Sequence, residues 1–107
     1  MASRIKIFST REDANRALSL NTPRKVIVAD QSICLVRTSK GIFALKDACP
    51  HQRASLSEGK VNAFDEVICP LHEYRFNFIN GREANYQCDD ADVCHIEVET
   101  NGIFLAT

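Results

Sequence analysis

No apolar run in the 107-residue chain approaches the 18 or more residues that a membrane-spanning helix needs. The opening Met-Ala-Ser-Arg-Ile-Lys lacks the apolar core of a signal peptide. Five cysteines, an odd number in a chain with no export signal, imply reduced thiols and a cytoplasmic protein. There is no large excess of either charge. The formal net charge is −1 with 25% charged residues, which points away from nucleic acid and from membrane surfaces as partners. The two signs are nevertheless unevenly spread. Residues 1–46 carry nine Lys/Arg against three acids, and residues 47–107 carry four against eleven. That acidic half either steers a basic partner or is simply solvated surface. Nucleophiles paired with a base, a glycine-rich phosphate loop and an open metal position are all missing, so the chain does not read as an enzyme in its own right. Without repeats, linkers or low-complexity stretches, residues 1–107 form one domain.

What the chain does have is a succession of short β patterns. Ile5 and Ile7 alternate with Arg4 and Lys6 as a first strand. Ser9 or Thr10 offers a helix N-cap, and Ala14, Ala17 and Leu18 follow at helical spacing until Asn21-Thr22-Pro23. Val26–Ala29, Ile33–Arg37 and Ile42–Leu45 are three antiparallel strands, with turns at Asp30-Gln31 and Ser39-Lys40-Gly41. Cys34 sits inside the second of these as a small buried hydrophobe. Val67 and Ile68 make a short strand. Tyr74, Phe76 and Phe78 alternate along another and face the core, and Asn80-Gly81 is a hairpin signal. Cys94, Ile96 and Val98 point inward from a strand whose outer face carries His95, Glu97 and Glu99, and Asn101-Gly102 turns into Ile103–Leu105. The fold class is all-β.

Two short arms interrupt this pattern: Cys49-Pro50-His51 and Cys69-Pro70-Leu71-His72, separated by the 17 residues Gln52 to Ile68. Two thiolates and two imidazoles can hold a tetrahedral zinc or an iron–sulfur cluster. A Cys2His2 zinc finger groups its cysteines in one arm and its histidines in the other. Here each arm gives one of each, which suits two inequivalent irons, one bound by both sulfurs and the other by both nitrogens. A proline after each cysteine stiffens the loop and removes an amide that would need a partner.

The stretch from Cys49 to Gly59, followed by Cys69-Pro-Leu-His-Glu-Tyr-Arg-Phe76, resembles the Rieske 2Fe–2S proteins. The resemblance is nearest to the small ferredoxins that feed electrons to aromatic-ring-hydroxylating dioxygenases. It implies antiparallel sheets with a small cluster-binding subdomain at about residues 46–86. It also implies one 2Fe–2S cluster on Cys49, His51, Cys69 and His72, with Leu56 shielding it from water and Cys88 on a loop that passes nearby. A monomeric carrier would then dock transiently on a reductase and a terminal oxygenase through the tip made by His51, Gln52, Arg53, His72, Glu73 and Tyr74. His95 is not expected to be a ligand.

The chain departs from that family in two places. Residues 79–92 contain no proline where the family usually has one, and Glu73 stands where a glycine commonly follows the second ligand histidine. An exposed carboxylate there favours the oxidised state. High-potential relatives also carry an extra cysteine in each loop and hydroxyls two and four residues after the second histidine. The matching positions here are Ala54, Leu71, Tyr74 and Phe76; no disulfide can form, Phe76 has no hydroxyl and the Tyr74 phenol is too long to copy a serine, which implies a low potential. Alternatives on the same residues are a small subunit of a reductase such as nitrite reductase, a zinc-stabilised interaction module, and a scaffolding domain with an incidental cluster.

Overall fold

The computed structural model describes residues 4–50 and 53–106, so His51 and Gln52 lie outside the described residues. The strands are β1 (Arg4–Phe8), β2 (Arg24–Val28), β3 (Gln31–Thr38), β4 (Gly41–Lys46), β5 (Lys60–Val61), β6 (Glu66–Ile68), β7 (Arg75–Asn77), β8 (Val93–Glu99) and β9 (Gly102–Ala106), with one helix, α1 (Arg11–Ala17). Six of them form a sheet in the order β1-β9-β8-β4-β3-β2, and β5-β6-β7 form a second, smaller sheet. Every strand pairing is antiparallel. The all-β reading holds. The two-residue strand β5 has no sequence pattern of its own and was not expected.

Strand β3 explains how the two sheets stay together. Ile33, Cys34, Leu35 and Val36 are all buried, so both faces of the strand are covered. Alternate residues go to different cores. Ile33 and Leu35 pack with Leu18, Ala44 and Leu105 inside the large sheet. Cys34 and Val36 pack on the other side with Leu45, Cys49, Leu56, Val67, Cys69, Phe76 and Phe78. Strand β4 divides the same way, Ala44 to the first core and Leu45 to the second. The Phe43 and Phe78 rings meet across the second core at 5.2 Å between centroids.

Thr10 caps α1, its hydroxyl accepting from the Asp13 amide at 3.0 Å. The helix ends at Ala17, before the Asn21-Thr22-Pro23 stop expected from sequence. Two guanidinium groups take its last carbonyls: Arg24 donates to Ala17 O at 2.8 Å and Arg37 to Leu18 O at 2.7 Å. That frees Leu18 to turn into the first core, where it is fully buried. Cys94 and Ile96 face that core as expected, but Val98 stays 46% exposed. Only Val93 and Cys94 of β8 pair with β4, and Val98 lies beyond that pairing.

The β2–β3 turn is one residue earlier than its sequence signal. Val28 pairs with Gln31, leaving Ala29 and Asp30 as a two-residue loop with φ of 50° and 65°. Such a loop needs left-handed backbone at both positions, for which Asn-Gly is the favoured pair. Replacing Ala29→Asn together with Asp30→Gly should therefore stabilise the protein by about 1 kcal/mol. The check is the thermal midpoint, which should rise by several degrees with the spectrum unchanged.

Candidate metal centre

The two arms fold into the same turn. In the first, the Cys49 amide donates to the Ala54 carbonyl at 2.8 Å and the Arg53 amide donates to the Cys49 carbonyl at 2.6 Å. In the second, the Cys69 amide donates to the Tyr74 carbonyl at 2.7 Å and the Glu73 amide to the Cys69 carbonyl at 3.0 Å. The fourth residue after each cysteine is left-handed, Arg53 at φ 61° and Glu73 at φ 59°. The glycine common in the family at Glu73 thus has a backbone reason. The histidines are placed differently in the two turns, two residues after Cys49 and three after Cys69.

Cys49 and Cys69 are completely buried in the second core, beside Leu56, Val67 and Phe76. Leu56 is itself fully buried there. His72 is exposed, its ring centroid 6.5 Å from that of the half-buried Tyr74. The site therefore has a dry sulfur side and, at His72, a wet nitrogen side. Cys88, in a third loop formed by residues 79–92, packs against the same core. Cys34 shares that core too, but burial and, secondarily, the Asp47 charge push its thiol up to about 12, so it keeps its proton. His95 is exposed on β8.

Two buried carboxylates that sequence reasoning did not single out organise the loops. Asp47, 3% exposed, accepts from the Ser57 amide at 2.8 Å and from the Ser55 hydroxyl, while its own carbonyl accepts from the Leu56 amide at 2.8 Å. It ties the return of the first arm to its start. Glu83, 1% exposed, accepts from the amides of Asn85 and Gln87 and so shapes the third loop. The Asp47-x-Cys49 and Ser55-x-Ser57 spacings were a usable signal for the first. Glu83 looks like any polar loop residue. Gly59 joins the arms: a Cβ there would lie 1.8 Å from the Ile68 carbonyl oxygen, next to Cys69. Removing the Asp47 acceptor should leave buried donors unpaired. Asp47→Ala is expected to cost about 2 kcal/mol in urea unfolding, with Asp47→Asn recovering part of it.

The donor set fits an iron–sulfur group better than one metal ion. A single zinc needs all its ligands at about 2.0–2.3 Å from one point. Here Cys49 and Cys69 are completely buried while His72 is exposed. A group with a sulfur-bound end and a nitrogen-bound end asks for the separation of buried thiols and exposed imidazole seen here.

Comparison with known proteins agrees. Ferredoxin CarAc of Metapseudomonas resinovorans is 32% identical over 75 residues, 69% of this chain and 69% of its own length. A chain from the complex of reduced oxygenase and oxidized ferredoxin in carbazole 1,9a-dioxygenase superposes with a TM-score of 0.78 at 28% identity, over 96% of this chain and 92% of its own. A candidate NADH-dependent nitrite reductase small subunit from Mycobacterium tuberculosis superposes at 0.82, over 100% of this chain and 96% of its own, but at 18% identity it shares the fold alone. Residues 10–99 match the Rieske [2Fe-2S] domain. The match runs through both cysteine turns and the third loop, and the chain belongs to the Rieske [2Fe-2S] domain family.

Proposed function

We propose that this protein is a monomeric cytoplasmic electron carrier that passes single electrons from a reductase to a terminal oxygenase. Cys49, His51, Cys69 and His72 are its cofactor ligands, holding one 2Fe–2S cluster. The observation that carries this reading is the repeated cysteine turn with its two buried thiols and the exposed His72 beside them. The kinship with ferredoxins, one of them seen with its oxygenase, supports the choice of partner class. Residues 46–86 act as the cluster-binding subdomain within a single 1–107 domain.

A cluster with thiolates on one iron and imidazoles on the other supplies a one-electron couple at a higher potential than an all-thiolate cluster. The residues around it have separate tasks. Leu56 and Phe76 keep water from the sulfurs, and the prolines hold both turns stiff. His72, at the surface, offers the shortest way out for an electron, so docking takes place at the tip of the two arms. The nitrite reductase subunit reading rests on fold alone. Purification with a large catalytic subunit, instead of as a free small protein, would decide for it.

The purified protein should contain iron and acid-labile sulfide in equal amounts, two of each as the [2Fe–2S] formula requires. Either His51→Ala or His72→Ala should remove the mixed-ligand spectrum. A colourless, zinc-loaded, folded protein from iron-replete cells would overturn the reading.

The midpoint potential should lie near the bottom of the Rieske range, roughly −150 mV. Phe76 is fully buried in the core that holds both thiols and has no hydroxyl to donate to sulfur. Phe76→Tyr should raise the potential where the new hydroxyl reaches sulfur. A wild-type value well above zero, by protein-film voltammetry, would contradict this account of the surroundings.

A further inference from the structure

Among the described residues, seven non-glycine positions have φ between 50° and 65°. Four have a local reason. Asn21, Asp30 and Asp65 belong to residue types that tolerate this region, and Ala29 is held there by its two-residue hairpin loop. The other three are Arg53, Glu73 and Tyr86, long side chains placed one in each loop around Cys49 and Cys69. All three are exposed. Glycine would take the same backbone conformation at lower steric cost. The chain forgoes that stability at three places, and strained positions of this kind concentrate at functional sites.

Arg53 and Glu73 hold equivalent places, the fourth residue after the cysteine in two turns that match bond for bond. Their charges are opposite. Among the described residues neither makes an ion pair or a side-chain hydrogen bond, so the fold does not use those charges. Equal and opposite charges add nothing to the net attraction of a distant partner. They do give the encounter a direction, because a partner docked the wrong way round meets like charge against like.

The geometry points to Arg53 and Glu73 as the residues that orient this carrier on its redox partner, a protein presenting an acidic side chain to the first turn and a basic one to the second. This rests on the electron-carrier reading and adds the polarity of the docking face.

The experiment follows oxidation of the dithionite-reduced protein by ferricyanide, a trianion, and by hexaammineruthenium(III), a trication. Each ion takes one electron from the reduced protein. At about 10 mM ionic strength, where the Debye length is about 30 Å, Arg53→Gly should slow ferricyanide and speed the ruthenium ion by about two- to five-fold. Glu73→Gly should do the reverse, and both effects should fade near 1 M salt, where the length is about 3 Å. The double exchange Arg53→Glu with Glu73→Arg keeps the net charge and should leave the ratio of the two rates near that of the wild type. Tyr86→Gly makes the same backbone change without a charge and should leave both rates alone. None of the glycine variants should unfold at lower urea concentration than the wild type.

A lower urea midpoint for Arg53→Gly or Glu73→Gly would mean that these side chains serve the fold, and would overturn the proposal. So would rates that do not respond to either charge. Failure of the carrier reading is separate and visible first, as a wild-type protein with no reducible visible or paramagnetic signal.

Discussion

The whole site depends on four main-chain hydrogen bonds, two in each cysteine turn. They close both turns through the main chain, so the side chains between cysteine and closure can be chosen for other purposes. The turns in turn depend on what lies beneath them. Cys49 and Cys69 point into a core whose floor is one face of β3 and β4, through Cys34, Val36 and Leu45. The opposite faces of those strands are filled by Leu18, Ile33, Leu35, Ala44 and Leu105. The large sheet is thus the foundation of the small one, and a well-packed foundation holds the two thiols in fixed positions.

Asp47 and Glu83 show what that rigidity costs. Burying a carboxylate is unfavourable unless its oxygens find donors. Both find them in amides of loops that border the thiols: Ser57 for Asp47, Asn85 and Gln87 for Glu83. Each buried charge therefore disfavours every loop conformation except the one that satisfies it. The third loop lacks the family's proline, yet its shape is set by Glu83 and by Gly81, where a Cβ would lie 2.2 Å from the Ala91 carbonyl oxygen. A hydrogen-bonded carboxylate and a close backbone approach take over the stiffening that a proline ring gives elsewhere.

The sequence made the strands readable where side-chain alternation or a continuous apolar run was strong, as in Ile33–Val36 and Ile42–Leu45. It located both arms because two cysteines, two prolines and two histidines at such spacing have few other uses. Thr10 announced its helix, and the three rings Tyr74, Phe76 and Phe78 announced the core they join. Features held by main-chain geometry escaped. Nothing in Lys60-Val61 marks β5, which exists because β6 offers it a pairing edge. Ala29-Asp30 carries no turn preference of the required type, and Asp30-Gln31 looked the better turn. Val98 follows the period of its strand faithfully. It is exposed all the same, beyond the point where β4 stops pairing, which no local pattern records.

Charge offers a more instructive mismatch. The second half of the chain carries eleven acids against four bases, a balance that invites the idea of an acidic face steering a basic partner. The fold disposes of most of that excess internally. Asp47 and Glu83 are buried, Asp65 pairs with Lys40 at 2.5 Å, and Glu66 lies 3.6 Å from Arg75. Glu97 and Glu99 both bind Arg4, which also lies 4.1 Å over the Phe104 ring. The pairs of Arg4 and Lys40 join bases from the first half to acids from the second, so part of the asymmetry along the sequence is cancelled in space. Exposed pairs of this kind add little stability, but they do neutralise the surface potential on which long-range steering depends. What remains near the arms is of mixed sign: Arg53 in one turn, Glu73 in the other with Glu58 and Lys60 beside it, and Asp89 and Asp90 next to Cys88. A field of that form does not draw partners from far away, and it acts only within about a Debye length of contact. The charge imbalance between the halves of the sequence is therefore a poor guide to the field at the surface of the fold.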